Sequence, residues 1–196
     1  NMYIENGGRG LTLRIGQLTS TGTPELFSWG ILDIGNLISA GPVSADAVDR
    51  LNIASSGNLN FSRLTGLYAT VRTRGDLFIG SSATFRDASF HSDGQLTVNN
   101  YVGLDAQFSS GGAMLLSNVN GRNSFDAVAG TSLTANGIVT GRTVSIASDD
   151  IIISPNGSIG VQGTTEALSI TNSNSDSQTF IGGTGTRGGY HLDADE

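Results

Sequence analysis

The sequence predicts an all-β chain built as one solenoid, a parallel β-helix with rungs of about 18–19 residues. Three observations carry this. Apolar pairs with one residue between them recur at steps of mostly 18 or 19; glycines precede one set of those pairs at the same spacing; and 28 Gly against 3 Pro in 196 residues, with much Ser, Thr and Asn, favours short strands and turns. A spacing of two is the strand period, which sends one side chain inward and the next to solvent. A repeat of this length is too short for two helices and fits one coil of short strands joined by tight turns.

The first series has apolar third and fifth positions in a five-residue pattern: Gly57-Asn58-Leu59-Asn60-Phe61, Gly75-Asp76-Leu77-Phe78-Ile79, Gly94-Gln95-Leu96-Thr97-Val98 and Gly112-Ala113-Met114-Leu115-Leu116. It returns at 149–153 and 166–170, with a slipped copy around Leu133 and Ala135. A second series interleaves, with inward pairs Leu13/Ile15, Leu32/Ile34, Leu51/Ile53, Ala69/Val71, Ala88/Phe90, Ala106/Phe108, Phe125/Ala127, Val144/Ile146 and Ile159/Val161. A fainter third series falls at Ala83/Phe85, Val102/Leu104 and Ile138. Rungs stacked at ~4.8 Å place Ala69, Ala88 and Ala106 in one interior file and Val71, Phe90 and Phe108 in another.

Turn chemistry agrees with this register. Gly57, Gly75, Gly94, Gly112 and Gly130 stand where the chain bends into the first strand of a rung, a place where positive φ is expected. Residues 1–10 and 16–29 are poorly patterned, and Pro24 and Trp29 suggest a longer excursion from the rod. The domain reading is a β-helix over 1–170 and an end, loop or continuation over 171–196. Neither end carries an evident cap for the open strand edges, so a segment of a longer rod is expected.

Composition excludes several classes. The chain has no Lys, and its ten Arg face seventeen Asp and Glu for a net charge of −7, which disfavours nucleic acid as a partner. It has no Cys for disulfides or thiolate metal sites. No run of about 18 apolar residues reads as a membrane span.

Rungs of this length, without Cys and built on Gly-x-Leu-x-Val corners, resemble the filamentous haemagglutinin-like adhesins of Gram-negative bacteria, with autotransporter passenger domains close behind. The resemblance covers residues 11–170. Ser154-Pro155-Asn156-Gly157 is similar to the Asn-Pro-Asn-Gly element of secretion domains in that group, with Ser in place of the first Asn and a position near the C-terminal end. The resemblance implies a right-handed coil and an extended rod, secreted and exposed at the cell surface, serving adhesion, biofilm, filament or surface-layer roles. It implies no reaction and no cofactor. The alternatives are a polysaccharide-degrading enzyme of β-helix fold and a phage tail spike or fibre.

No residue is assigned to catalysis, a cofactor or a metal. Asp87 and Asp105 fall at the same outward position of consecutive rungs, ~5 Å apart, where two carboxylates can share a proton or hold Ca²⁺. The plainer reading is a solvated pair near Arg86 and Arg50. Arg74-Gly75-Asp76 spells a cell-attachment signal, yet Gly75 repeats the corner glycine of other rungs and Asp76 is an outward strand position. Gly183, Gly185 and Gly188 match Gly-x-Gly-x-x-Gly, but no amphipathic helix follows to meet a pyrophosphate. His91 and His191 each precede an Asp by two residues, which suggests a polar contact, since a zinc site needs further ligands. Asp149-Asp150 reads as a solvated corner.

The outward positions of the first series, Asn60, Phe78, Thr97, Leu115, Leu133 and Ile152, hold four large apolar residues. A contiguous apolar file on a rod suggests contact. Phe78, Leu115, Leu133 and Ile152 are therefore the expected interaction residues, with a second copy, a neighbouring protein or the segment 171–196 as what covers them. A host-cell or glycan surface is a further expected partner.

Overall fold

The computed structural model describes residues 2–84 and 86–173, together with the backbone of 179–181 and 190–192. Among the described residues there is no helix, and the strands stack as a parallel β-solenoid of about eight turns. Each rung visits three faces in turn. On the first lie Leu18–Ser20, Leu37–Ser39, Leu77–Ile79, Ser132–Ala135 and Asp150–Ile153. On the third lie Met2–Asn6, Pro24–Ser28, Val43–Ala47 and Ser82–Thr84; on the second, Thr12–Ile15, Ile31–Ile34, Arg50–Ser55, Tyr68–Thr73, Asp87–Ser92 and Ala167–Thr171. The strands Leu96–Ser110 and Met114–Ala129 run unbroken through all three faces of their rungs.

The first two faces follow the apolar pattern. Leu59, Leu77, Leu96, Met114, Leu133 and Ile151 align in one ladder, and Leu51, Ala69, Ala88, Ala106, Phe125 and Val144 in another. All are buried. The rings of Phe90 and Phe108 stack at 5.0 Å, and Phe125 meets Phe108 edge-on at 5.3 Å. Such aromatic pairs contribute about 0.5–1.5 kcal/mol beyond the area they bury.

The third face runs in the opposite phase to the expected one. Its inward file is Leu26, Ala45, Leu64, Ser82, Tyr101, Val119 and Val139, whereas Val102, Leu104 and Ile138 are 41%, 40% and 51% exposed and Ala83 also faces out. Phe85 lies outside the described residues. On the rungs of Thr84 and Tyr101 hydrogen bonding supports the inversion: the buried Tyr101 hydroxyl pairs with Thr84 Oγ1 at 2.8 Å and donates to the Asp105 carbonyl at 3.2 Å, so a polar tip hides an apolar body.

Two further expectations are corrected. Ile159 pairs with Val139 on the third face, and it is Leu168/Ile170 that continue Val144/Ile146 on the second; Val161 is 36% exposed. The cause is a lengthened corner at 160–166, where Gly160 and Gly163 take φ of 77° and 83°. The first residues form no excursion either. Met2–Asn6 pairs with Pro24–Ser28, which pairs with Val43–Ala47; Pro24 opens its strand, where the missing N–H costs no ladder bond. Trp29 sits at the corner beyond, edge-on to Phe27 at 5.2 Å.

None of the corner glycines Gly57, Gly75, Gly94, Gly112 and Gly130 has positive φ, and at Gly75, Gly94 and Gly130 it is the closeness of the preceding rung that excludes a side chain, whereas Gly57 has open space. A Cβ on Gly75 would collide with the Asn58 side chain of the preceding rung. That side chain is fixed there because Asn58 Oδ1 accepts from Asp76 N at 2.9 Å, and Asp76 Oδ1 in turn accepts from Gln95 N at 2.9 Å. A buried hydroxyl file turns the corner between the second and first faces: Ser92 Oγ donates to the Gly75 carbonyl at 2.7 Å, Ser110 Oγ to Gly112 at 2.9 Å and Ser148 Oγ to Asp150 at 2.7 Å. These bonds bring hydroxyl donors to the corner carbonyls; that of Gly75 also accepts from Gly94 N of the next rung at 3.4 Å.

Candidate interaction surfaces

The exterior of the first face is set by the ladders beneath it. Asn60, Phe78, Thr97, Leu115, Thr134 and Ile152 stand in one outward file. Leu133 does not belong to it: the residue pairs with Met114 and Ile151 and is fully buried, so Thr134 takes the outward place on that rung. The slipped spacing after Met114 moves the inward position by one residue, and the strand period then turns Leu133 inside. The contiguous apolar column is thus an alternation, one large apolar side chain and one short polar one on successive rungs.

Nearer the N-terminal end a separate two-strand ladder pairs Thr19 with Ile38, a residue the sequence reading passed over. Ile38, Phe78 and Ile152 are 41%, 37% and 45% exposed, and Leu115 is half-buried. A shallow depression of about 390 Å³ beside Phe78 is lined by Asn60 and Thr97. The flanking outward positions are mainly uncharged, among them Asn58, Gln95, Ser117 and Asn136, with Asp76 and Asp150 at the corner margin.

On the second face an open groove of about 480 Å³ is lined by Arg50, Tyr68, Thr70, Asp87, Asp105 and Gln107, among others. Asp87 and Asp105 are direct register partners, as expected. Their surroundings differ. Asp105 Oδ1 accepts from Asn123 Nδ2 at 2.7 Å and Ser124 Oγ at 2.6 Å, which anchors it, while Asp87 is exposed. Arg50 places its guanidinium over the Tyr68 ring at 5.1 Å. No group of three or more His, Asp or Glu among the described residues converges as a metal site. Hydroxyls, amides, two carboxylates and an aromatic–cation pair line this groove. Below it, burial first, then the Asp105 and Asp87 charges, push the Tyr101 phenol up to about 12, against the hydrogen bond from Thr84.

Other sequence features resolve into corner chemistry. Within Arg74-Gly75-Asp76, the Asp76 side chain serves the next rung's amide. His91 bonds Asp93 at 2.9 Å and Ser109 at 2.7 Å, the polar contact expected of it. Asp149 accepts from Ser173 Oγ at 2.6 Å. Ser154 to Gly157 is a tight turn closed by Gly157 N donating to the Ser154 carbonyl at 2.7 Å. The glycine-rich stretch 182–189 and the His191 side chain lie outside the described residues. No helix of the described chain is long and apolar enough to cross a membrane. Compared with known proteins, the chain matches no family model, no curated protein and no solved structure.

Proposed function

We propose that the chain is a non-catalytic structural and adhesive stretch of a large secreted protein displayed at a bacterial cell surface. The observation that carries this is the uniformity of the rungs. Register steps stay at 18 to 20 residues over most of the rod and widen only at two lengthened corners, 7–11 and 160–166. A solenoid so regular supplies length and repeated lateral faces, and its core is an axial stack that can be continued rung by rung. The first face, with Phe78, Leu115 and Ile152, serves lateral association; the groove on the second face serves contact with a host or glycan surface.

Electron cryo-microscopy of the native material tests this reading. Continuous filaments with a ~4.8 Å axial layer spacing are expected. Discrete short rods or parallel trimers would overturn it.

A second reading, a β-helical enzyme acting on polysaccharide, is favoured by the Asp87–Asp105 pair in its groove. Release of oligosaccharides from a panel of acidic and neutral polysaccharides, lost in Asp87→Asn and in Asp105→Asn, would establish it in place of the first. No release from any of them would remove it.

A further inference from the structure

We propose that the first face is a self-association surface on which two copies of this chain pack antiparallel and one rung out of phase, each apolar side chain seated in the gap that a short polar residue leaves in the other copy. This rests on the reading of the chain as a laterally associating rod, and specifies the partner and the geometry.

The alternation is the starting point. Phe78, Leu115 and Ile152 are separated by two rungs each, ~9.6 Å at the spacing of adjacent strands, and Asn60, Thr97 and Thr134 occupy the rungs between. A gap of that width between two protruding side chains admits one more of similar size. A depression lies against Phe78 over Asn60 and Thr97, the recessed positions on either side of it. A partner that fills it must present apolar groups at the same two-rung period, and a second copy of this file does.

Symmetry then fixes the arrangement. A two-fold axis perpendicular to the rod, passing between the rungs of Thr97 and Leu115, maps every protruding rung onto a recessed one. Leu115 of one copy meets Thr97 of the other, Phe78 meets Thr134 and Ile152 meets Asn60, so all six ladder-paired rungs are used. The contact is isologous and closed. Parallel copies in register would instead set Phe78 on Phe78 and Leu115 on Leu115, leaving the gaps empty.

Charge permits the approach. The chain carries a net −7, yet the outward file and most of its flanking positions are neutral, with carboxylates at Asp76 and at the Asp149-Asp150 corner and no Arg within 59–61, 77–79, 96–98, 114–116, 132–135 or 150–153. Six rungs of three-residue strands cover roughly 300 Å² per copy, well below the ~800 Å² per partner of a standard stable interface. The dimer is therefore weak.

Sedimentation equilibrium of the purified chain from ~10 µM to ~1 mM tests the idea, with circular dichroism to confirm that each variant keeps its strands. The unsubstituted chain should dimerise, and Leu115→Asp with Ile152→Asp should remain monomeric. The deciding variant is Thr97→Leu with Thr134→Leu, which fills the gaps while raising surface hydrophobicity. Interdigitation requires it to weaken the dimer at least tenfold; equal or tighter association would overturn the packing. Because the chain has no cysteine, a mixture of Thr97→Cys and Leu115→Cys chains should oxidise to the mixed disulfide in preference to either homodimer. Monomer throughout at ~1 mM would sink self-association even if native filaments were seen, whereas a dimer in solution without native filaments would remove the surface-rod reading and leave this contact standing.

Discussion

The second and third faces are stacked from the same rungs, yet different chemistry fills their interiors. Behind the second face lie Ala69, Ala88 and Ala106 beside Val71, Phe90 and Phe108, an apolar file of regular steps. Behind the third lie Leu64/Gly66, Ser82/Thr84, Tyr101/Gly103, Val119/Gly121 and Val139/Gly141. The two compensate in volume. Tyr101 packs edge-on against Phe90 and Phe108 at 6.1 and 5.3 Å, and the glycines lie where the strand bends towards the second face, at the register shifts beside Gly103 and Gly121. A narrow interior filled by these rings leaves room only for glycine where the third-face strands bend.

If that division holds, the greatest loss should follow removal of the ring that touches the others. Phe108→Ala deletes contacts to Phe90, Tyr101 and Phe125 and should destabilise by about 3–5 kcal/mol, read from guanidinium unfolding at constant slope. The polar tip of Tyr101 gives a pH signature. Its folded pKa of about 12 stands above the ordinary 10.0, so below pH 10 the contribution is fully present, and as pH rises from 10 through 12 the unfolded chain loses its proton first and stability falls. The fall should reach ~2–3 kcal/mol and be absent in Tyr101→Phe.

Gly121→Ala should cost about 1–3 kcal/mol, since the added Cβ meets the Ser124 carbonyl at the bend; a neutral result would mean that the third face has spare volume after all. Ser92→Ala removes hydroxyl bonds to the Gly75 and Gln95 carbonyls and should cost ~1 kcal/mol in the same assay. The smallest effect belongs to Val102→Ser. With its side chain outward, the change should stay within about 0.5 kcal/mol, while an inward Val102 would cost several times that.

The same comparison explains what could be read in advance. The repeat length, the parallel stack and the inward pairs of the first two faces were legible because Leu, Ile, Val and Phe alternate with polar residues at a fixed step. The third face was not. Its inward Ser82 and Thr84 read as solvent positions and its outward Val102, Leu104 and Ile138 as core, because patterning ranks side chains by hydrophobicity while Thr84 and Tyr101 are buried through a mutual hydrogen bond. Phe78, Leu115 and Ile152 were placed outward correctly, but Leu133 was not, because one slipped residue reverses a strand's two sides. The corner glycines were found by spacing, but the positive φ expected of them is absent, and the inter-rung contact that excludes a side chain at Gly75, Gly94 and Gly130 leaves no trace in a local pattern.

The axial stacking of rungs bears on how such a rod behaves under tension. A rung of 18 or 19 residues occupies ~4.8 Å of rod, but the same residues pulled straight span roughly 60 Å. Force applied between the two ends opens one ladder at a time, because each rung touches only its neighbours. Peeling a single rung therefore lengthens the tether more than tenfold over the length that rung held, and leaves the remaining coils closed to bear the next pull.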